Sequence, residues 1–151
     1  MVFCQLVVFT LGSEEYAIHI SYAQEIIRVP KLRKIPGTPE FVEGVFNLRD
    51  NVISVVDLKK KFGMGQTEKN NDNRLLVVDL EGMKFGIIVD DVTEVIRIDE
   101  NELQHLNDEI VGISKNTIQG ISLIGERIIM ILDALKLKSE IFNNHLEKEL
   151  A

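Results

Sequence analysis

The chain has 151 residues, 45% of them apolar and 27% charged, and a formal net charge of -7. That length admits one compact unit or two small barrels sharing an interface and excludes two large domains, while the apolar share excludes disorder as the general state. The acidic balance disfavours nucleic acid and anionic lipid as bulk partners, because both demand clustered Lys and Arg to displace counterions.

From the start of the chain, LVVFTL meets EYAIHI across Gly12-Ser13-Glu14, two β-rich runs joined by turn residues, which predicts a hairpin. In YAQEII the apolar residues Ala23, Ile26 and Ile27 fall three and four apart, a spacing that predicts a short helix. Residues 28–39 hold all three Pro together with Arg28, Lys31, Arg33 and Lys34, a basic loop face. Next, VFNLR and VISVV flank the Asp50-Asn51 bend, and Asp57 is placed to cap LKKKF. Residues 64–73, MGQTEKNNDN, are polar and predict a connector. LLVVDL and MKFGIIV flank Glu81-Gly82, Asp99 is placed to open a helix over ENELQHL, and ISLI and RIIMIL flank Gly125-Glu126. A final helix is expected after Asp133 or Ser139, with Leu135, Ile141, Phe142 and Leu146 as its apolar positions.

The chain repeats itself. An offset of 69 lays Leu6–Ile27 on Leu75–Ile96 without a gap, so that Leu6, Val8, Leu11, Ile18, Glu25 and Ile27 recur as Leu75, Val77, Leu80, Ile87, Glu94 and Ile96. An offset of 76 lays residues 44–58 on 120–134, pairing Gly44 with Gly120, Ile53 with Ile129 and Asp57 with Asp133. Two tandem copies of one small all-β barrel follow, with strands every 8 to 12 residues or so. The copies differ in charge: residues 1–74 hold 10 Lys plus Arg against 9 acidic residues, and residues 75–151 hold 7 against 15.

Catalytic signatures are missing. The sequence contains no GxxxxGK[ST] loop, HExxH, GxSxG or CxxC, and no GxGxxG after a strand. His19, His105 and His145 stand in no ligand spacing with one another or with Cys4, so neither a metal nor a cofactor is expected, and His19 is expected at the surface or satisfied at an interface. Cys4 has no disulfide partner and is expected to behave as a small hydrophobe. The paired acids Glu14-Glu15, Asp90-Asp91 and Asp99-Glu100 fall at turns, where solvation is the expected state. No apolar run approaches the roughly 18 to 20 residues of a membrane span, and no secretory leader opens the chain, so a cytoplasmic protein is expected. What remains is a non-catalytic interaction module. Glu25 and Arg49 are charged residues in apolar surroundings; a guanidinium suits a carboxylate, so either the two pair, partly buried, and fix a loop between strands, or each is solvated independently.

FVEGVFNLRDNVISVVDLKKKFG, residues 41–63, resembles the CheW family of bacterial chemotaxis coupling proteins, as do VVFTLGSEEYAIHI with QEI, FGIIVDDVTEVI and GERIIMILD. The resemblance covers about residues 3–138. It implies two five-stranded SH3-like barrels in one unit over 1–151 with a C-terminal helix. The simple division is 1–68, 74–138 and a tail or helix over 139–151, and a division into 15–75 and 1–14 plus 76–140 with exchanged edge strands stays open. It also implies a cytoplasmic adaptor recruited to membrane-associated receptor arrays. This adaptor would link the regulatory domain of the histidine kinase CheA to the cytoplasmic tips of methyl-accepting chemoreceptors, without enzymatic activity. A detached regulatory domain or a paralogous scaffold of a related signalling array is the alternative. By resemblance, Glu25, Gly44, Arg49, Val92 and Val95 serve receptor coupling, and Ile20 and Ala23 serve kinase binding. Asp50 stands where the family usually has Gly and Ser54 where Pro is common, and the Asp50 carboxylate is positioned in sequence to compete with Glu25 for Arg49.

Overall fold

A computed structural model describes residues 2–105 and 117–150, with the helical backbone alone over 143–150. The first five-stranded sheet is built from β1 (Phe3–Leu11), β2 (Glu14–His19), β8 (Asp91–Asp99), β9 (Ile118–Ile124) and β10 (Arg127–Leu132), in the order β8-β1-β2-β10-β9. The second is built from β3 (Ala23–Ile27), β4 (Val42–Leu48), β5 (Asn51–Asp57), β6 (Arg74–Leu80) and β7 (Met83–Val89), in the order β3-β6-β7-β5-β4. Replacing each strand by its counterpart in the repeat, β1 by β6 through β5 by β10, turns one order into the other. The parallel pairs correspond too, β2 with β10 and β7 with β5.

Each sheet therefore takes two strands from one copy and three from the other. The chain passes between sheets at a 3-10 turn over Ile20–Tyr22 and again at Asp90, two positions that correspond in the repeat, which lays Ser21 on Asp90. Residues 64–73 join the copies, as expected, running from α1 (Leu58–Lys61) to β6, and they do so within one sheet. The charge difference survives this exchange: residues 23–89 carry 11 Lys plus Arg against 9 acidic residues, and the rest of the chain 6 against 15.

Strand alternation explains why β1 and β6 are apolar almost throughout. Val7, Phe9 and Leu11 point with Leu76, Val78 and Leu80 into a core shared by the two sheets, joined by Tyr16, Phe85, Leu132 and Leu137. On the opposite faces, Leu6 and Val8 fill one barrel with Ala17, Ile98, Ile129 and Ile131, and Leu75 and Val77 fill the other with Val55 and Ile88. Both faces of these central strands are buried, which a half-exposed strand would not tolerate in its polar positions.

Asp57 caps α1 by accepting from the Lys59 N–H at 3.0 Å, and Asp133 repeats the act at the start of α2 (Ala134–Leu150), accepting from Lys136 at 3.1 Å. Leu137 and Ile141 of α2 are buried and Leu135 is exposed, while the side chain of Leu146 lies outside the described residues. Two helix expectations change. YAQEII forms β3, because Ala23, Ile26 and Ile27 pair with Val78, Leu76 and Leu75 of β6 and tertiary pairing overrides the local period. ENELQHL is helical only as a 3-10 turn over Glu100–Glu102, capped by Asp99, and Leu106 lies outside the described residues. Among the described residues no helix is long and apolar enough to cross a membrane.

Candidate functional site

β3 and β4 are the two edges of the second sheet, and a charged contact links the first of them to the hairpin that holds the second. Arg49 and Asp50 form the β4–β5 turn with φ of 48° and 68°, the positive values that a tight two-residue hairpin demands. From there Arg49 donates from Nη1 to Glu25 Oε2 at 2.6 Å and from Nη2 to Glu25 Oε1 at 3.2 Å, a fork-to-fork pair. Both guanidinium bonds go to Glu25 and neither to Asp50, and the Glu25 hydrogen bonds hold the Arg49 guanidinium above its ordinary pKa. The expected partial burial needs correction: the Arg49 side chain is 68% exposed and only Glu25, at 20%, is sheltered, because the turn projects beyond the sheet.

The repeat makes a second such contact that the sequence did not disclose. Glu94, the counterpart of Glu25, accepts from Arg127 Nη2 at 2.6 Å, and Arg127 also engages Glu15 through Nη2 at 2.7 Å and Nε at 3.1 Å. Arg127 repeats Asn51 rather than Arg49, so the cation comes from a place two residues along the hairpin. The recurrence of Glu25 as Glu94 was the available signal. The hydrogen bond from Arg127 holds the Glu15 carboxyl below its usual range despite some burial, and the two carboxylates hold Arg127 above its own. In each of the other two acid pairs one carboxylate has a partner. Asp90 accepts from the Gly12 N–H at 2.6 Å and faces Lys59 at 3.5 Å, and Asp99 accepts from the Asn101 N–H at 3.0 Å.

Val92 and Val95 stand on β8, an edge of the first sheet, on either side of Glu94. Val95 is 51% exposed, whereas Val92 packs partly buried against the shared core. Their counterparts on edge strand β3 are Ile26, 43% exposed, and Ala23, which packs on the same core. Both edge strands skip one residue in their pairing, at Thr93 and at Gln24, a bulge that the repeat superposes. Ile20, 39% exposed, lies in the 3-10 turn just before Ala23. Gly44 makes its close approach within the chain: at φ 148°, a Cβ there would lie 2.6 Å from the Arg33 carbonyl oxygen, where residues 33 and 45 form a bridge. The structure thus joins Glu25 to Arg49 directly, sets Ile20 and Ala23 at the entry to the same strand, and puts Val92 and Val95 in the other sheet. The basic segment lines a cleft of about 630 Å3 through Arg28, Lys31 and Lys34, and Lys69 also lines it.

A family model described as a CheW-like domain matches residues 5–142. The chain belongs to the CheW family. It is 37% identical over 139 residues to the chemotaxis protein CheW of Treponema pallidum, covering 89% of this chain and 82% of that one. Against the Helicobacter pylori CheW the identity is 37% over 128 residues, covering 85% and 77%. Among solved structures, the scaffolding protein TtCheW from Thermoanaerobacter tengcongensis superposes with a TM-score of 0.81 at 39% identity, covering 88% of this chain and 86% of that one. As a CheW protein the chain is a non-catalytic chemotaxis adaptor, and its fold of two five-stranded sheets with a C-terminal helix is that of a CheW structure.

Proposed function

We propose that this adaptor couples transmembrane chemoreceptors to the histidine kinase CheA, working in the cytoplasm at membrane-associated receptor arrays. Receptor tips bind at the region of Glu25, Gly44, Arg49, Val92 and Val95, and the CheA regulatory domain binds at Ile20 and Ala23. The observation that carries the reading is the exposure of apolar side chains, Val95 at 51% on edge strand β8 and Ile20 at 39% in the turn that leads into edge strand β3, near the ion-paired carboxylates Glu94 and Glu25. Unpaired edge backbone and exposed apolar side chains together suit a protein partner rather than a small ligand. Residues 23–89, which hold the second sheet, are mildly basic and the rest of the chain is acidic, which favours a head-to-tail contact between unlike halves over a self-complementary one.

The test is capture of a CheA regulatory domain and of a cytoplasmic receptor fragment by the folded chain. Retention of both supports the reading, and failure to retain either contradicts it.

A further inference from the structure

One cluster of metal-ligating side chains lies at one end of the first sheet, beside Ile20. Cys4 near the start of β1, His19 at the end of β2 and Glu100 just past β8 come from three neighbouring strands at one end of the first sheet. One donor atom from each lies within 4.8 Å of the others. Backbone pairing fixes these positions: Cys4 stands opposite Ile98, Leu6 opposite His19, and the Glu100 N–H donates to the Val2 carbonyl at 2.8 Å. His19 is further oriented by Tyr22, whose ring meets it edge-on at 6.3 Å.

We propose that Cys4, His19 and Glu100 form a binding site for a divalent ion of the Zn2+ class, with a fourth position open to water. A thiolate, an imidazole and a carboxylate form a donor set that suits Zn2+ and its borderline-soft neighbours and is unlike the all-oxygen shells of Ca2+ and Mg2+. A tetrahedral ion with bonds of about 2.0 to 2.3 Å spaces its donors roughly 3.3 to 3.7 Å apart, so small side-chain rotations close the remaining gap. Cys4 and His19 are half-buried on paired strands, and Glu100 is exposed.

On binding, the ion forms bonds to sulfur, nitrogen and oxygen, and the thiol proton leaves to solvent. The two charges of the ion are then balanced by thiolate and carboxylate. No electron transfer is involved. The spacing of residues 4, 19 and 100 conceals this site in the sequence, since the three meet only through strand pairing.

The test uses the full chain without a histidine tag, stripped with chelator and titrated with Co2+, then with Zn2+. One equivalent of Co2+ should bring up a thiolate-to-metal charge-transfer band with tetrahedral visible bands, and Zn2+ should bleach both. Cys4→Ser should abolish the charge-transfer band, and His19→Ala and Glu100→Gln should each weaken binding by at least about tenfold. Zn2+ should raise the unfolding temperature of the parent chain and not that of Cys4→Ser. The absence of a thiolate band at stoichiometric Co2+ overturns the proposal, as does an equal Zn2+-induced rise in Cys4→Ser. If Cys4→Ser does not fold without metal, Glu100→Gln, altered at an exposed side chain, carries the same comparison.

Discussion

Gly44 and Arg33 are in backbone contact so close that no side chain fits between them: a Cβ on residue 44 would stand 2.6 Å from the Arg33 carbonyl oxygen. The same bridge recurs in the other sheet, where a Cβ on Gly120 would stand 3.1 Å from the Gln104 carbonyl oxygen. Gly44 also has φ of 148°, a conformation that Gly120 does not share. Gly44→Ala should therefore destabilise the chain by about 2 to 4 kcal/mol and Gly120→Ala by about 1 kcal/mol or less. Urea unfolding of the two variants decides this, and equal losses would show that the φ difference has no energetic weight.

Arg49→Ala should leave the unfolding temperature close to that of the parent, because an exposed pair contributes little to stability. The same variant should bind a receptor fragment about tenfold more weakly, through loss of the charge and of the strand positioning that it provides. Calorimetric titration beside a thermal melt reads both quantities. A destabilised fold with unchanged affinity would make the pair structural alone.

The valines of β8 should separate in the same way. Val95→Asp alters a half-exposed side chain and should weaken receptor binding while the chain stays folded. Val92→Asp puts a carboxylate against the shared core and should cost about 2 kcal/mol or more. Paired unfolding and binding curves for the two variants measure the distinction.

Glu15 gives an acid signature. Its carboxyl is held below the ordinary value of 4.5 in the folded chain, first by the hydrogen bond from Arg127, so its stabilising contribution is present above that pH. The contribution is lost as the pH falls through the lower folded value. Glu15→Gln should consequently melt below the parent at pH 7 and converge with it in acid, as followed by melting temperature between pH 7 and 3. A constant gap across that range would contradict the assignment.

Much of this architecture was legible in the chain. The offsets of 69 and 76 gave the duplication, and the turn residues gave the hairpins, because both are local properties. Asp57 and Asp133 cap as their positions suggested, and Glu25 meets Arg49. What stayed hidden depends on which strand lies beside which. β1 and β2 join β8, β9 and β10 rather than β3, β4 and β5, and an apolar run carries no label for its neighbour. Arg127 meets Glu15 across 112 residues, so no spacing rule finds it. Arg49 is more exposed than its sequence surroundings imply, because its apolar neighbours belong to the strand, whereas the residue itself sits on the turn.

Ternary reconstitution decides whether the chain joins receptor to kinase. CheA, a cytoplasmic receptor fragment and this protein are combined, and kinase autophosphorylation is measured with the parent chain and with Arg49→Ala. Receptor-dependent control of the kinase that requires the parent chain and is diminished in the variant is the predicted result. Kinase activity indifferent to the presence of the folded chain would contradict it.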